Sequence, residues 1–377
     1  MTAPSPSAGT PAADGYRWPA EWEPHDATWL SWPHNAETWP GRLAAVEAAF
    51  VEMVAAIAPG ERVCVNVVDD AMAERVRALV RERDAALEAR IETHPIATDD
   101  AWVRDHGALF VVAGPGAQSG APRLAVVDFD FDAWGGKYPP WDRDAEVARR
   151  MAEITRVRRY APHVVLEPGA IDGNGGGVVL TTESCLLHPN RGREGRARDR
   201  SELERVLCEQ LGAERVVWLG EGIVGDDTDG HVDDLTRFVG PEVIVTAVEP
   251  DPTDENHRPL ADNLARLRQL RAAEWPALDV ALLPMPAPLH ADGDRLPASH
   301  ANFYVANAAV LVPVFGGQSD ERAIAVLADL FPGRDVVGIE SRDLVVGLGA
   351  VHCLTQQQPA APGSRGIPPK GPKSPKG

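Results

Sequence analysis

The sequence predicts an α/β fold built from one unit that repeats along the chain. Helical patterns alternate with short apolar strands from residue 43 onwards, which is the arrangement of mixed α/β proteins. Strand pairs with tight turns recur between the helices, and the whole pattern returns about every 60 residues. A unit of this size, repeated through a chain of 377 residues, predicts radial repetition around a central axis.

The first elements are read from the spacing of apolar residues. An amphipathic helix is predicted over 43–57, where apolar residues recur at helical spacing: Val46, Phe50, Met53, Val54 and Ile57. Pro59 and Gly60 end this helix. The segments that follow are predicted as strands over 62–68 and 91–96, a helix over 71–88, and a strand pair over 102–112 and 124–131.

The second part of the chain is periodic. Its helices are predicted to begin near Asp142, Asp199, Glu255 and Ser319, with short apolar strands at 164–166, 216–219, 280–283 and 336–339. Strand pairs with tight turns follow, at 235–239 with 243–248 and at 303–305 with 309–315. The last unit stops after Gln358, one strand short. Residues 27–32 are predicted to supply that strand and so to close the ring.

The residues with reactive side chains follow the same period. The intervals are 62 positions from Asp105 to Glu167, 64 from Glu167 to His231, and 122, or twice 61, from His231 to Cys353. One such residue per unit, at equivalent points of a ring, would meet at the axis. The unit that is skipped should therefore contribute a residue near His300 or Asn302.

Cys353 lies in the segment Val-His-Cys-Leu-Thr-Gln-Gln at 351–357, a polar and strand-like setting. It is either a nucleophile or a buried core thiol. The polar neighbours and the upstream glycines Gly347 and Gly349 favour a nucleophile, because thiolates need a hydrogen-bonding or cationic surround. A bound guanidinium group would itself supply such a cation.

His231 and Asp233 lie two residues apart in Gly-His-Val-Asp-Asp at 230–234. On a strand both side chains would point to one face, as a histidine acid/base beside a substrate-binding carboxylate requires. A metal-ligand pair and plain surface polarity remain alternatives. A calcium loop beginning at Asp226 is disfavoured, because its twelfth position is Arg237.

Asp105 and Glu167 are the remaining candidates. Asp105 follows Trp102, and a carboxylate beside an indole is what a guanidinium pocket would use; a surface ion pair with Arg104 is the alternative. Glu167 ends an apolar strand. If it has no role at the site, it is a charged residue at the end of a strand. The glycine run at 173–177 is interpreted as a hairpin turn joining 164–166 to 178–187, since it lacks the ending of a phosphate loop.

The composition indicates which partners and which compartment to expect. The chain carries 37 Lys and Arg against 56 Asp and Glu, a net charge of −19, which argues against a nucleic-acid partner and favours cationic ligands. Four cysteines far apart predict reduced thiols in the cytoplasm, and neither a signal peptide nor a membrane-spanning run is recognised. The oligomeric state stays open, a homo-oligomer included.

The two ends differ from the body in composition. Residues 1–17 are rich in Ala, Pro, Ser and Gly and are predicted to be disordered. Residues 360–377 are predicted to be a disordered basic tail, with Arg365, Lys370, Lys373 and Lys376 and no acid. Residues 18–359 are therefore predicted to form a single domain.

Six ordered motifs resemble the agmatine deiminases, within the bacterial-type peptidylarginine and agmatine deiminase family of the guanidine-modifying superfamily. They are Trp18-Pro-Ala-Glu-Trp-Glu-Pro-His25 with Thr28-Trp-Leu-Ser-Trp-Pro33, Thr98-Asp-Asp-Ala-Trp-Val-Arg-Asp-His-Gly107, Trp134-Gly-Gly136, Leu180-Thr-Thr-Glu-Ser-Cys-Leu-Leu-His-Pro-Asn-Arg191, Thr228-Asp-Gly-His-Val-Asp233 and His352-Cys-Leu-Thr-Gln-Gln357. The resemblance covers nearly the whole chain. It implies a five-bladed α/β propeller of the pentein type, made of ββαβ-like units around a central active site.

The same resemblance implies the chemistry. Agmatine, a small cationic guanidino compound, would be hydrolysed to N-carbamoylputrescine and ammonia, a step in putrescine biosynthesis, without a metal or organic cofactor. It assigns the nucleophile to Cys353 and the acid/base to His231. Asp105 and Asp233 would hold the guanidinium group, Trp102 would line its pocket, and Glu167 would complete the carboxylate set.

Three motifs depart from the family pattern. The family usually has Gly-Gly-Gly-Asn-Ile before the His-Cys pair, and this chain has Gly347-Leu-Gly-Ala-Val351. Pro168-Gly169 stands where Gly-Gly is usual, and His106-Gly107-Ala108 follows Asp105 where the family usually has a small residue and Gly-Pro. Another guanidino compound or peptidylarginine is therefore an alternative substrate. The sequence also admits a non-catalytic binding propeller and a metal-dependent amidohydrolase that uses His231, Asp233 and His352.

Overall fold

The computed structural model describes residues 9–361 apart from 118, 119, 121 and 193–197. Its strands, in chain order, are β1 Tyr16–Arg17, β2 His25–Ser31, β3 Arg62–Val67, β4 Ile91–Pro95, β5 Leu109–Ala113, β6 Leu124–Val127, β7 Arg158–Tyr160, β8 Ile171–Gly173, β9 Val178–Thr182, β10 Arg215–Leu219, β11 Thr236–Gly240, β12 Val243–Val248, β13 Asp279–Pro284, β14 His290–Ala291, β15 Asp294–Arg295, β16 Tyr304–Val305, β17 Ala309–Val314, β18 Asp335–Glu340 and β19 Gln356–Pro359. Its α-helices are α1 Leu43–Ile57, α2 Asp70–Arg83, α3 Val103–His106, α4 Ala133–Gly136, α5 Val147–Thr155, α6 Glu183–Leu186, α7 Arg200–Leu211, α8 His257–Ala273 and α9 Gln318–Leu330. No helix among the described residues is long and apolar enough to cross a membrane.

Within those residues, the strands form five sheets of three or four strands and a separate ribbon of β14 and β15. We name them sheet I (β1-β5-β6-β7), sheet II (β8-β9-β10), sheet III (β11-β12-β13), sheet IV (β16-β17-β18) and sheet V (β19-β2-β3-β4). Each sheet has an antiparallel pair whose second strand also pairs with a parallel neighbour. A helix connects the two parallel strands, namely α5, α7, α8, α9 and α1 in sheets I to V. The predicted α/β fold and its repeating unit are confirmed.

Sheet V joins the two ends of the chain. Its antiparallel pair consists of β19, from the C-terminal end, and β2, from the N-terminal end, with Gln356 opposite Trp29. The indole Nε1 of Trp29 also donates to Oε1 of Gln358 at 3.0 Å. The predicted N-terminal strand that pairs with the last unit is thus confirmed, although it spans His25–Ser31 rather than 27–32.

Helix α1 shows how the sequence pattern produces packing. The predicted apolar face is fully buried, and its members are Val46, Phe50, Met53, Val54 and Ile57. They belong to a core cluster that includes Trp32 from the end of β2 and Val63 from β3. Burying each such side chain contributes about 1.5–3 kcal/mol relative to exposure, so this face fixes α1 against sheet V.

The segment 9–17 is ordered, and here the prediction of disorder for residues 1–17 is wrong. Tyr16 pairs with Ala113 of β5, is 3% exposed, and donates its hydroxyl to the carbonyl of Pro122 at 2.7 Å. At the other end Ala360 donates to the carbonyl of Pro24 at 2.7 Å. Local composition missed this order because the contacts are long-range. The predicted disorder of 1–8 and of the basic tail from 362 falls outside the described residues.

Two other predicted strands need correction. The segment 102–112 begins with the helical turn α3, and β5 starts only at Leu109. The segment 164–166 makes a single bridge, between Val165 and Asp130, and the strand of that unit is β7. The glycine run therefore joins β8 to β9, not 164–166 to 178–187. Short apolar runs carry too little periodicity to distinguish a strand from a turn.

Candidate active site

The predicted site residues stand just before the antiparallel pair of different sheets. Asp105 precedes β5, Glu167 precedes β8, His231 and Asp233 precede β11, Asn302 precedes β16, and Cys353 precedes β19. The residue expected near His300 or Asn302 is Asn302, whose Nδ2 lies 3.1 Å from Sγ of Cys353. His300 instead directs Nε2 at Oδ1 of Asp320, 2.8 Å away. Each sheet thus supplies one segment to the same place.

Cys353 lies in a turn over 351–354 rather than on a strand. Asn302 holds this turn, because its Oδ1 accepts from the backbone N–H of His352 at 2.9 Å and of Cys353 at 3.3 Å. Sγ lies 3.8 Å from Oδ2 of Asp233. Burial, followed by the nearby carboxylates of Asp233 and Asp234, raises the pKa of Cys353 well above its usual range. The group is therefore a thiol until a cation arrives.

Asp105 lies in the helical turn α3 and is fully enclosed. Its Oδ2 accepts from Nε1 of Trp134 at 2.9 Å, and its Oδ1 accepts from the N–H of Gly169 at 3.1 Å. Burial, and then repulsion from Asp233 and Glu167, raise the pKa of Asp105 well above its usual range. Asp105 is thus a carboxyl group that a bound cation would ionise.

Gly169 explains why one departure from the family pattern leaves the site intact. A Cβ at this position would lie 2.6 Å from Oδ1 of Asp105 and 2.7 Å from Nδ1 of His231, so no larger residue fits. Pro168 occupies the first position of a 3-10 turn, Pro168–Ala170, where a missing N–H costs nothing. The chain keeps the glycine that the contact requires and replaces the other.

Glu167 is paired with Arg191. Nε of Arg191 lies 2.9 Å from Oε1 of Glu167, and its remaining nitrogens contact the carbonyl of Thr228, Oδ1 of Asn190 and the carboxylate of Asp229. Burial raises the pKa of Glu167, and the charge of Arg191 opposes that rise. Oε2 of Glu167 has no hydrogen-bond partner. One oxygen is therefore anchored and the other is free.

His231 stands at the start of the 3-10 turn Val232–Asp234, so the predicted strand geometry of His231 and Asp233 is wrong. The turn forms because Asp226 and Thr228 accept from the backbone N–H of His231, both at 3.1 Å. Neither ring nitrogen has a hydrogen-bond partner, and Nδ1 lies 3.8 Å from Oδ2 of Asp105. Burial lowers the pKa of His231 to about 3, so the ring is neutral and able to accept a proton.

Asp233 is held as a carboxylate by a neighbouring histidine. Its Oδ2 lies 2.6 Å from Nδ1 of His352, and its Oδ1 has no partner. Burial opposes ionisation, but the hydrogen bond and charge of His352 outweigh it and hold the pKa of Asp233 below its usual range. Asp233 therefore offers one free anionic oxygen beside Cys353.

Unpartnered polar atoms concentrate at this point. Among the described residues, seven buried side-chain nitrogen and oxygen atoms lack a hydrogen-bond partner, and four of them belong to Glu167, His231 and Asp233. Buried polar atoms are nearly always paired, because leaving one unpaired costs about 1–3 kcal/mol. Such a concentration is typical of a site whose missing partner is a ligand.

A cavity of about 650 Å³ leads to Cys353 and Asp105. Aromatic side chains form part of its wall: Trp102, Phe131, Trp134, Tyr138 and Trp141. Acidic lining residues are Glu37, Asp99, Asp100, Asp105, Asp144 and Asp227. Of the predicted substrate contacts, Trp102 and Asp105 line this cavity, and Asp233 and Glu167 are not among its lining residues. The cavity suits a cation with an apolar stem.

The alternative metal set of His231, Asp233 and His352 does not converge on one point. Both ring nitrogens of His352 lie against carboxylates, Nδ1 at Asp233 and Nε2 at Glu21. A second grouping, with ligand atoms within 4.8 Å of one another, is Glu167, Cys185 and His231. In that grouping Glu167 is already ion-paired with Arg191, and burial raises the pKa of the Cys185 thiol well above its usual range.

Three residues at the site had no predicted role, namely Arg191, Trp134 and Glu21. All three lie inside the family-like motifs quoted above, and that position was the available signal. Each contacts a residue of the site from a distant part of the chain: Arg191 contacts Glu167, Trp134 contacts Asp105, and Glu21 contacts His352. Contacts of this kind leave no periodic trace in a single sequence.

The α/β fold and this site define the class of protein. The family model of the Porphyromonas-type peptidyl-arginine deiminases matches residues 17–359, so the chain belongs to that family. The predicted resemblance is confirmed.

The similar proteins are more specific. An agmatine deiminase of Stutzerimonas stutzeri (strain A1501) is 39% identical over 374 residues, which cover 93% of this chain and 97% of that protein. Among solved structures, agmatine deiminase of Enterococcus faecalis has 32% identity and a TM-score of 0.83, covering 95% of this chain and 100% of its own. A putative arginine deiminase of Porphyromonas gingivalis has 36% identity and a TM-score of 0.82, covering 92% and 99%.

The raised pKa of Asp105 predicts that an alkylguanidine binds with release of a proton. The cation favours the ionised carboxyl group, so the release should approach ~1 proton per site below the pKa of the empty site. Calorimetric titration of the Cys353→Ser variant in buffers of different ionisation enthalpy measures this number. Asp105→Asn in the same background is the control and should abolish the release. Equal heats of binding in all buffers for Cys353→Ser would contradict the assignment.

Proposed function

We propose that this chain hydrolyses agmatine to N-carbamoylputrescine and ammonia through a covalent intermediate on Cys353. The observation that carries this proposal is the group of unpartnered atoms on Glu167, His231 and Asp233 beside the thiol. A guanidinium group presents five N–H donors in one plane, and the free carboxylate oxygens are acceptors for them. Relatives named agmatine deiminases, at 37–39% identity, support the same substrate.

The proposal includes the arrangement that brings these residues together. We assign residues 18–359 to a single domain in which sheets I to V are the five blades of a propeller around the site. Support comes from the one segment that each sheet contributes and from the β19–β2 pair that joins the last unit to the first. A further link is the backbone N–H of Arg104, which donates to the carbonyl of Cys353 at 3.1 Å.

Binding prepares the nucleophile. In the empty site Asp105 and Cys353 both have raised pKa values, which favours the protonated form of each. The guanidinium charge favours ionisation of both groups, and the thiol proton passes to the neutral ring of His231. Asn302 donates to Sγ and stabilises the thiolate that forms. Substrate binding and nucleophile activation are therefore one event.

The reaction then proceeds in two halves. The thiolate adds to the guanidinium carbon, a C–N bond breaks, and protonated His231 gives its proton to the departing ammonia. The product of this half is a thiouronium group on Cys353. His231 next takes a proton from water, and the hydroxide adds to the same carbon. The C–S bond then breaks while the proton of the added hydroxyl passes to the Asp105 carboxylate, which releases the ureido product and the thiolate. Asp105, Asp233 and Glu167 orient the carbon toward sulfur.

The cavity favours a substrate that carries no carboxylate. Its acidic lining residues outnumber the basic ones, and Lys137 lies 2.9 Å from both oxygens of Asp229. Arg104, whose direction the sequence left open, points away from the cavity toward Glu21 and the Gln356 and Gln357 side chains. An α-carboxylate would therefore enter an acidic site without a free cationic partner, which is costly.

Other guanidino compounds and peptidylarginine remain the second candidates, and one observation favours testing them. Leu348 lines the cavity at φ +70°, where the family pattern usually has glycine. A left-handed conformation costs a non-glycine residue about 1–2 kcal/mol, so the side chain is retained there against strain. It reshapes the wall that the far end of a substrate meets.

We also propose a cytoplasmic location, in keeping with four cysteines that are all thiols.

Cys353→Ser should lower turnover by several orders of magnitude in a folded protein, because an alkoxide is much harder to form than a thiolate. Steady-state release of ammonia from agmatine measures the effect. Cys208→Ser, which changes a cysteine on α7, is the matched control and should retain activity. Retained activity in Cys353→Ser would refute the covalent mechanism.

EDTA should not change wild-type turnover. A loss of activity on chelation that an added metal restores would favour the amidohydrolase.

Agmatine should exceed free arginine in kcat/KM by at least ~100-fold, equivalent to about 2.7 kcal/mol in the transition state. The reason is the unpartnered α-carboxylate of arginine in an acidic cavity. Steady-state kinetics on both compounds, with peptidyl-arginine and small alkylguanidines as further substrates, would decide it. Equal efficiencies, or a preference for arginine, would show that the wall at Leu348 and Ala350 has been rebuilt for another substrate.

A further inference from the structure

His352 lies between two buried carboxylates. Its Nδ1 is 2.6 Å from Oδ2 of Asp233, its Nε2 is 2.8 Å from Oε2 of Glu21, and the residue is 2% exposed. A neutral imidazole has one N–H and one lone pair, so one of its nitrogens would face a carboxylate oxygen without a proton between them. Only an imidazolium ion donates to both. The geometry therefore requires either a charged ring or a protonated carboxyl group.

Glu21 is not the protonated group. Its Oε2 also accepts from Nη2 of Arg104 at 3.3 Å and lies 3.0 Å from Nη2 of Arg237, while its Oε1 accepts from the N–H of Val305 at 2.8 Å. Burial opposes ionisation of Glu21, but the charges of Arg237, His352 and Arg104 hold its pKa well below the usual range. Because every neighbour of this carboxylate is a hydrogen-bond donor, its ionised form is favoured.

An imidazolium ion at His352 would balance the charges of the surrounding ion pairs. The ion-paired groups are Glu21, Asp172 and Asp233 as anions, and Arg104 and Arg237 as cations. Asp172 joins the network because its Oδ2 accepts from Nε of Arg237 at 2.5 Å. With an imidazolium at His352, three anions meet three cations. A buried net charge is expensive, so the neutral set is favoured.

The other titratable groups near His352 carry no positive charge. His231 and Cys353 face it from the site, the first as a neutral ring and the second as a thiol. Asp234, on the same turn as Asp233, has a pKa raised well above its usual range, by burial first and then by Asp233. None of these groups is a cation that could neutralise both Asp233 and Glu21.

We propose that His352 is a positively charged positioning residue which, backed by Glu21, fixes Asp233 as an ionised carboxylate aimed at the guanidinium group. Asn302 prevents the segment from turning away, since its backbone carbonyl and its Oδ1 both accept from the N–H of His352. Oδ2 of Asp233 is thereby held, and Oδ1 is left for the substrate. This inference rests on the proposed function for its kinetic readout only.

The test compares pH profiles of kcat/KM for agmatine. His352→Gln keeps a donor for Asp233 but removes the charge, so the pKa of Asp233 should rise. Activity should then be lost from the acidic side, with the acidic limb moved ~1–2 pH units upward and KM raised more than kcat is lowered. Glu21→Gln should move the limb in the same direction by less. His300→Gln removes another buried histidine–carboxylate pair, that with Asp320, and should leave the profile in place.

A second measurement needs no turnover. Nitrogen NMR of the ring of His352 in ¹⁵N-histidine-labelled protein, assigned with His352→Gln, should show both ring nitrogens protonated. If wild-type protein leaves agmatine intact but the ring is charged, the proposed function fails and the inference stands. A neutral ring, or an unmoved acidic limb in folded His352→Gln, would overturn the inference.

Discussion

Burial of ionisable groups at one point is the constraint on which the rest of this structure depends. Water cannot stabilise a charge there, so each ionisable group must either be paired with another protein group or take its neutral form. Glu167 has Arg191, and Asp233 has His352. Asp105 has donors but no cation, and its pKa is raised well above its usual range. The site thus lacks one positive charge, and we propose that a guanidinium ion supplies it.

The residues of the site come from segments of different sheets. Each sheet contributes the segment that precedes its antiparallel pair, and some of these segments are hydrogen-bonded to one another. Asn302 of one unit holds Sγ of Cys353 in another, and Gly169 admits both Asp105 and His231. The pairing of β19 with β2 contributes to this arrangement, because it fixes the cysteine segment against the start of the chain.

The sequence predicted the repeat, the closing strand and most helices and strands, because these rest on periodic burial. It also identified the residues that meet, since their spacing equals the repeat. It failed on local shape: Asp105 and His231 lie on helical or 3-10 turns, which are too short for a periodic pattern. It gave no role to Arg191 or Glu21, whose ion pairs join distant segments.

The central claim is that the Cys353 thiolate adds to the guanidinium carbon. Acid quenching during turnover of agmatine, followed by digestion and mass spectrometry of the peptide with Cys353, tests this most directly. The account predicts an adduct on Cys353 with the mass of agmatine less ammonia, and no adduct in the Cys353→Ser variant. Steady turnover with Cys353 unmodified at every quench time, or an adduct confined to another cysteine, would contradict it.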